Sequence, residues 1–344
     1  PLYSSAASDV YKRQEAHKEG INCWDKDLQR YIYSTQVESY HPFRLYMNEL
    51  PAWDGTDRLK PLAKRISDIP LWIKSFHTWM LGLAAQWLGV TQTQANSVAP
   101  ILISEEQGRH KSTFCRMLMP PQLARYYSDN LKLTAQGNPE RLLAEMGLLN
   151  MDEFDKFGAQ KMPLLKNLMQ MSSLNICKAY QKNFRSLPRI ASFIGTSNRT
   201  DLLCDPTGSR RFICIEAEHD IDCTGIEHSQ IYAQLKEELL AGARHWFNKE
   251  EEHALQCHNM AYYHVNPIED IVRNTYAPAT LNESDCLSLS AAIIHQELKK
   301  RFPAALRSCT PIQLAQIFTA TGISRQHTRL GNVYLVKRVK DSEE

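Results

Sequence analysis

Apolar positions follow two different rhythms along this chain. Between residues 15 and 95 they recur at helical spacing, interrupted by turns. In PLWIKSFHTWMLGLAAQWLG, Leu71, Phe76, Trp79, Met80, Leu83 and Trp87 repeat at three- and four-residue steps, which predicts a buried helix. Pro51, Asp54 and Gly55 of PAWDGTDRL mark a turn before it. From residue 96 to 218 the rhythm shortens. The runs VAPILIS, GLLNMDEF, PRIASFIGTSN and RRFICIE read as strands, with helical segments between them, one beginning at about Ser112. Strands alternating with helices predict an α/β fold with a mostly parallel sheet. Residues 219–280 predict a helix over IYAQLKEELLAGARHWF, with Ile231, Leu235, Leu239 and Trp246 on one side. Residues 281–344 predict helices near SAAIIHQELKKRF and PIQLAQIFTAT, and a further helix start over Ser324–Arg329. A turn at Leu330-Gly331-Asn332 and the strand VYLVKRV follow. This is the order of a small winged-helix-like module. The expected division is a helical N-terminal region (15–95), an α/β core (96–218), a helical lid or linker (219–280) and the tail module (281–344). Residues 1–14, PLYSSAASDVYKRQ, read as translated adapter sequence and are set aside, with an upstream domain expected beyond them.

Composition changes this picture little. The 344 residues are 43% hydrophobic and 23% charged, as in globular domains rather than disordered or fibrous chains. No apolar run reaches the ~18 residues of a membrane span. The nine cysteines are scattered, several inside apolar runs, so a disulfide framework is not expected and the reducing cytoplasm is the natural compartment. His253, Cys257, His258 and His264 lie close in sequence but without a Cys-x-x-Cys pair, which argues against a zinc site.

Charge is more informative. The net value of +2 conceals an interval, Lys156 to Thr200, with eight basic residues and no acid, so the remainder carries −6. Within it, Lys178, Tyr180, Lys182, Phe184 and Arg185 interleave cations with aromatics. That pattern suits phosphate contact with base stacking on single-stranded DNA. A solvated basic face with Tyr180 and Phe184 in the core is the other reading.

The chemistry-bearing signal is the segment ILISEEQGRHKSTF, a strand leading through a turn into a helix. This is the setting of a P-loop, in which backbone N–H groups and a helix N-terminus face phosphate. Gln107, Gly108, Arg109, His110, Lys111, Ser112 and Thr113 would form the loop. Lys111 would reach the β- and γ-phosphates of ATP, and Ser112 would hold Mg²⁺. The two glycine positions of the usual pattern carry Glu105 and His110, where a side chain crowds the phosphates or strains the backbone. Further on, an apolar strand ends in Asp152-Glu153, placing one carboxylate for Mg²⁺ and one to polarise water. The strand SFIGTSN ends in Asn198, suited to positioning that water. Arg210 and Arg211 precede the next strand, and arginine suits a transferring phosphoryl group.

Taken together, HPFRLYMNELPAWDGTDRL, QGRHKSTFCRMLMP, LLNMDEFD, SFIGTSNRTDLL and DPTGSRRF resemble the virulence-associated protein E family of phages and mobile elements, over roughly residues 40–215. The resemblance implies a P-loop NTPase core akin to AAA+ proteins and superfamily-three helicases. It makes Lys111 and Ser112 the Walker A residues, Asp152 and Glu153 the Walker B pair, Asn198 the sensor, and Arg210 or Arg211 a finger acting on a neighbouring subunit. It also implies an ATP-dependent DNA helicase or translocase in replication of a mobile element, assembled as a ring, such as a hexamer, with single-stranded or forked DNA and a primase as partners. A DNA-binding module that holds nucleotide without turnover is the alternative.

Overall fold

The computed structural model describes residues 13–32, 34, 36, 40–90, 94–134, 137–158, 160–177, 184–203, 209–263, 267–280, 283, 285–307, 309–328 and 331–339. The chain divides into two compact units, Pro1–Tyr263 and His264–Glu344.

After a helical stretch at 13–18 the first unit has short helices α1 (Asp25–Ile32), α2 (Pro42–Asn48) and α3 (Leu59–Lys64), then the long α4 (Pro70–Leu88). Pro70 starts α4 where a missing N–H costs nothing, and Gly89 ends it at φ 77°. It is buried almost all round, as expected for a helix without a polar face. Its polar atoms are satisfied by main chain: the Trp79 indole donates to Phe193 O (3.1 Å), and the Gln86 amide donates to Ala191 O (2.8 Å).

Against α4 lies a sheet built from β1 (Ala99–Ile103), β2 (Tyr127–Ser128), β3 (Leu148–Met151), β6 (Ser192–Ser197) and β7 (Phe212–Glu216). The spatial order is β2-β3-β6-β1-β7, and every pairing is parallel. The central strands β1, β3 and β6 are buried on both faces and mostly apolar; Asn150 in β3 and Ser192, Thr196 and Ser197 in β6 are buried polar exceptions. One face packs on α4, with Leu102, Leu148, Ile194 and Ile213 in that core. Ile101, Leu149, Phe193 and Phe212 belong to the core on the other side. The sheet centre is closely packed at Gly195, where a Cβ would lie 2.7 Å from Ile101 Cδ1 and 3.2 Å from Met151 O.

Helix α5 (Lys111–Met117) follows β1, and α6 (Pro139–Glu145) precedes β3. Helix α7 (Met162–Gln170) leads into an antiparallel hairpin, β4 (Ser173–Cys177) with β5 (Phe184–Pro188). Helices α8 (His228–Leu240) and α9 (Lys249–His258) complete the unit. Helix α8 stops earlier than the apolar spacing suggests, with Gly242 at φ 87°, so Trp246 is off the helix and 39% exposed.

Arg189 corrects the charge reading. It is counted among the eight basic residues of the acid-free interval, yet it is 1% exposed. Its guanidinium donates to Met169 O (2.6 Å), Ala191 O (2.7 Å), Asn96 O (3.0 Å) and Leu168 O (3.3 Å), and lies 5.0 Å from the Phe193 ring centroid. The carbonyls that end α7 are open acceptors, and a guanidinium fork is the side chain able to take several at once. Burial lowers its pKa to about 9, so the group remains charged at neutral pH. Arg189 is thus a structural cation and not part of a DNA-facing surface.

The second unit contains α10 (Pro267–Thr275), β8 (Tyr276–Pro278), β9 (Leu287–Ser290), α11 (Ala291–Arg301), α12 (Pro311–Ala320), β10 (Arg325–Thr328) and β11 (Gly331–Arg338). Strand β11 pairs antiparallel with β10, β8 and β9. Its core includes Val272, Ile294, Leu298, Leu314, Phe318 and Val336. The helix start expected over 324–329 is not there: residues 325–328 are a strand. Gly322 at φ 80° turns the chain out of α12, and β11 then captures the segment as a ladder partner, with Arg325 opposite Tyr334. Among the described residues, no helix is long and apolar enough to cross a membrane.

Candidate functional site

The carboxyl ends of parallel strands in an open α/β sheet form the crevice where ligands bind. Three chain segments meet there. The loop after β1 carries Gln107–Thr113, the end of β3 carries Asp152 and Glu153, and the end of β6 carries Thr196 and Asn198. All of these residues line one cavity of about 450 Å³.

The register explains the convergence. Strands β3 and β6 pair Met151 with Gly195, so Asp152, just past the end of β3, falls level with Thr196. Strand β1 pairs Ile103 with Ser197, which brings Ser104 and the loop alongside Asn198. Ser104 N continues the ladder to Ser197 O at 3.2 Å before the chain leaves the sheet.

Lys111 is only 7% exposed. Its ammonium donates to Ser104 O and to Asn198 Oδ1, both at 3.0 Å. Burial lowers its pKa, the nearby Arg109 adds to that, and Asp152 opposes it. A buried cation held by neutral oxygens, rather than by a carboxylate, retains its charge for an anionic ligand. Ser112 Oγ donates to Asp152 Oδ1 at 3.0 Å, and Thr196 Oγ1 donates to the same oxygen at 2.6 Å. Hydroxyl and carboxylate oxygens are the donor set of Mg²⁺. The pairing of an anion-seeking lysine with hard oxygen donors fits a metal-bound phosphate better than a metal alone.

Three described non-glycine residues have positive φ, and two of them border this cavity: His110 (58°) and Glu153 (53°). Of the two glycine positions occupied by other residues, only His110 shows the strain expected of it. Gly108 takes φ 88°, with open space where a Cβ would stand. Arg109 is tied to Glu106 at 2.6 Å and to the Glu218 carbonyl, so it braces the loop. Glu153 is bound to Lys156 at 2.6 Å.

Arg210 and Arg211 are elsewhere. They precede β7, whose Phe212 pairs with Ala99 at the opposite edge of the sheet from Ser104. Five residues of strand rise, roughly 16 Å, separate them from the loop along the strand direction. Arg210 meets Glu252 at 3.4 Å. Of the predicted DNA contacts, Lys178 and Lys182 lie outside the described residues, as do Asp205–Gly208 of the DPTGSRRF motif. Arg185 is placed only as backbone in β5. His253 and Cys257 touch at 3.6 Å, while His258 turns away to Cys214 O at 2.8 Å, and His264 lies outside the described residues.

Thr196 was missed in the sequence. The signal was present: it sits two residues before Asn198, on the strand face shared with Ile194.

The fold and site together define an α/β protein whose parallel sheet presents a buried lysine, hydroxyls and a carboxylate around one crevice at its carboxyl edge. The chain belongs to the virulence-associated protein E-like family, whose domain model matches residues 47–264. Residues 265–336 match a domain of unknown function described from B. Theta (DUF3874). No curated protein matches the chain significantly. Among solved structures, the apo structure of the NrS-1 C terminal region is similar at 15% identity and a TM-score of 0.42, covering 86% of this chain and 78% of that one. An A form apo structure of the NrS-1 C terminal region gives 16% identity and 0.42 with the same coverage.

Proposed function

We propose that this chain is an ATP- and Mg²⁺-dependent ATPase of the helicase or translocase type, acting on DNA in the replication of a phage or mobile element. The observation that carries the reading is the convergence of Lys111, Ser112, Asp152 and Asn198, from three separate segments, on one cavity. The loop from Gln107 to Thr113 would act as a P-loop and cradle the phosphates. Lys111 would exchange Asn198 for phosphate oxygens, freeing the Asn198 amide to orient water. Ser112 and Asp152 would hold Mg²⁺. Bound ATP supplies the phosphoryl group, and Glu153, once released from Lys156, would take the proton of the attacking water.

Arg210 or Arg211, at the other edge of the sheet, would serve the site of an adjoining copy. That calls for a ring, of which a hexamer is one form. The β4–β5 hairpin, which carries Arg185 and is joined through Lys178 and Lys182, would contact single-stranded or forked DNA. The second unit would be a winged-helix-like module, with α12 following α11 ahead of the β10–β11 hairpin. A primase would be a natural partner in replication.

Phosphate release measured with and without single-stranded DNA tests this. Lys111→Ala is expected to abolish release, and unchanged release would sink the motor reading. A second reading, nucleotide binding without turnover, is favoured by His110 in the loop and by the Glu153–Lys156 pair. Tight nucleotide binding with no phosphate release by the parent chain would establish it.

A further inference from the structure

We infer that Thr196 is a positioning residue for Asp152, determining which of its oxygens is offered to a bound cation. The inference rests on the nucleotide reading of the site. Thr196 is 3% exposed and next to Asp152 across the β3–β6 ladder. As a β-branched residue on a strand it has a stiff χ1, so its hydroxyl direction is set by the backbone.

That hydroxyl and the Ser112 hydroxyl both donate to Oδ1 of Asp152, at 2.6 and 3.0 Å. Two donors use up the lone pairs of one carboxylate oxygen. Oδ2 is thereby left for the metal or its water. Each hydroxyl carries a single hydrogen, so Ser112, having given its own to Asp152, keeps its lone pairs for the same cation.

The nature of the donors matters as much as their number. A lysine or arginine in place of Thr196 would orient Asp152 but cancel its charge, as Lys156 does for Glu153. A neutral hydroxyl orients the carboxylate and leaves the charge intact. Groups that orient metal ligands from behind are worth about 10–100-fold in metal affinity.

The test is Mn²⁺ titration by electron paramagnetic resonance on the full chain with a non-hydrolysable ATP analogue, alongside analogue binding in EDTA. Thr196→Val keeps the shape and loses the hydroxyl. It is expected to weaken Mn²⁺ binding about 10–100-fold while metal-free nucleotide binding changes little. Thr196→Ser, which keeps the hydroxyl, is expected to retain most of the parent affinity. If the valine variant does not fold, Thr196→Ala provides the same comparison. Parent-like Mn²⁺ affinity in the valine or alanine variant overturns the inference, and so does equal loss in the serine variant. Either result leaves the nucleotide reading standing. A parent chain with no analogue-dependent Mn²⁺ binding overturns both.

Discussion

His110 holds a left-handed conformation immediately before the helix that carries Lys111 and Ser112. For a residue with a Cβ that conformation costs about 1–2 kcal/mol. Glycine there would remove the cost and partly offset it through the greater freedom of the unfolded chain. His110→Gly is therefore expected to stabilise the first unit by roughly 0.5–1 kcal/mol in urea unfolding. The same change opens the loop to phosphate and should tighten nucleotide binding in a direct titration. A loss of both stability and affinity would show that the imidazole itself holds the loop. Glu153 repeats the pattern in the turn just after β3. Strain gathered at two residues of one crevice is what functional sites show when surrounding packing fixes their backbone. Neither φ value is visible in a sequence. The glycine pattern flagged His110 and Glu105 alike, and only the folded loop distinguishes them.

Among the elements, α9 shows how one carboxylate can tie three pieces of chain together. Glu251 closes a capping box with Asn248, pairs with both Arg244 Nη atoms at 2.6 and 2.7 Å, and reaches Lys74 on α4 at 2.9 Å. The Arg244 hydrogen bonds lead in lowering its pKa from 4.5 to about 2. A carboxyl whose folded pKa is depressed stabilises the fold fully above its unfolded value and loses that contribution as pH falls through the folded one. The stability from Glu251 is thus present above pH 4.5 and lost as pH falls toward about 2. Glu251→Gln is expected to lower stability at neutral pH and flatten that acid limb. A parent-like slope in pH-dependent urea unfolding would contradict it. Most elements of the first unit were legible because their burial is written in apolar runs: β1, β3 and β7 are short and mostly apolar, and α4 has nineteen residues with barely a charge. Elements that exist through partners were not legible. Strand β2 is two residues long and held by β3, while β10 reads as polar and is a strand only because β11 pairs with it. Arg189 escaped for a related reason, since the carbonyls that bury it come from distant parts of the chain.

For the molecule as a whole, the separation of Arg210 and Arg211 from Lys111 yields a mixing experiment. An Arg210→Ala/Arg211→Ala chain and a Lys111→Ala chain are each expected to lack ATPase activity. Mixed, they should recover about a quarter of the parent rate, from interfaces that join an intact loop to an intact arginine pair in a head-to-tail ring. Two inactive chains that stay inactive on mixing would rule out arginines that act across an interface between copies. Arg189 has its own large-scale consequence. It follows the last residue of β5 and clamps the root of the β4–β5 hairpin to the end of α7 and to the segments leading into β1 and β6. A hairpin riveted at its root cannot slide; it can only swing. Over strands of five residues, or about 16 Å, a tilt of about 10° at the fulcrum becomes a sweep of about 3 Å at the far end. In the proposed motor the rivet would make the hairpin a lever, and the stroke of a lever is set by its length rather than by how far its base can move.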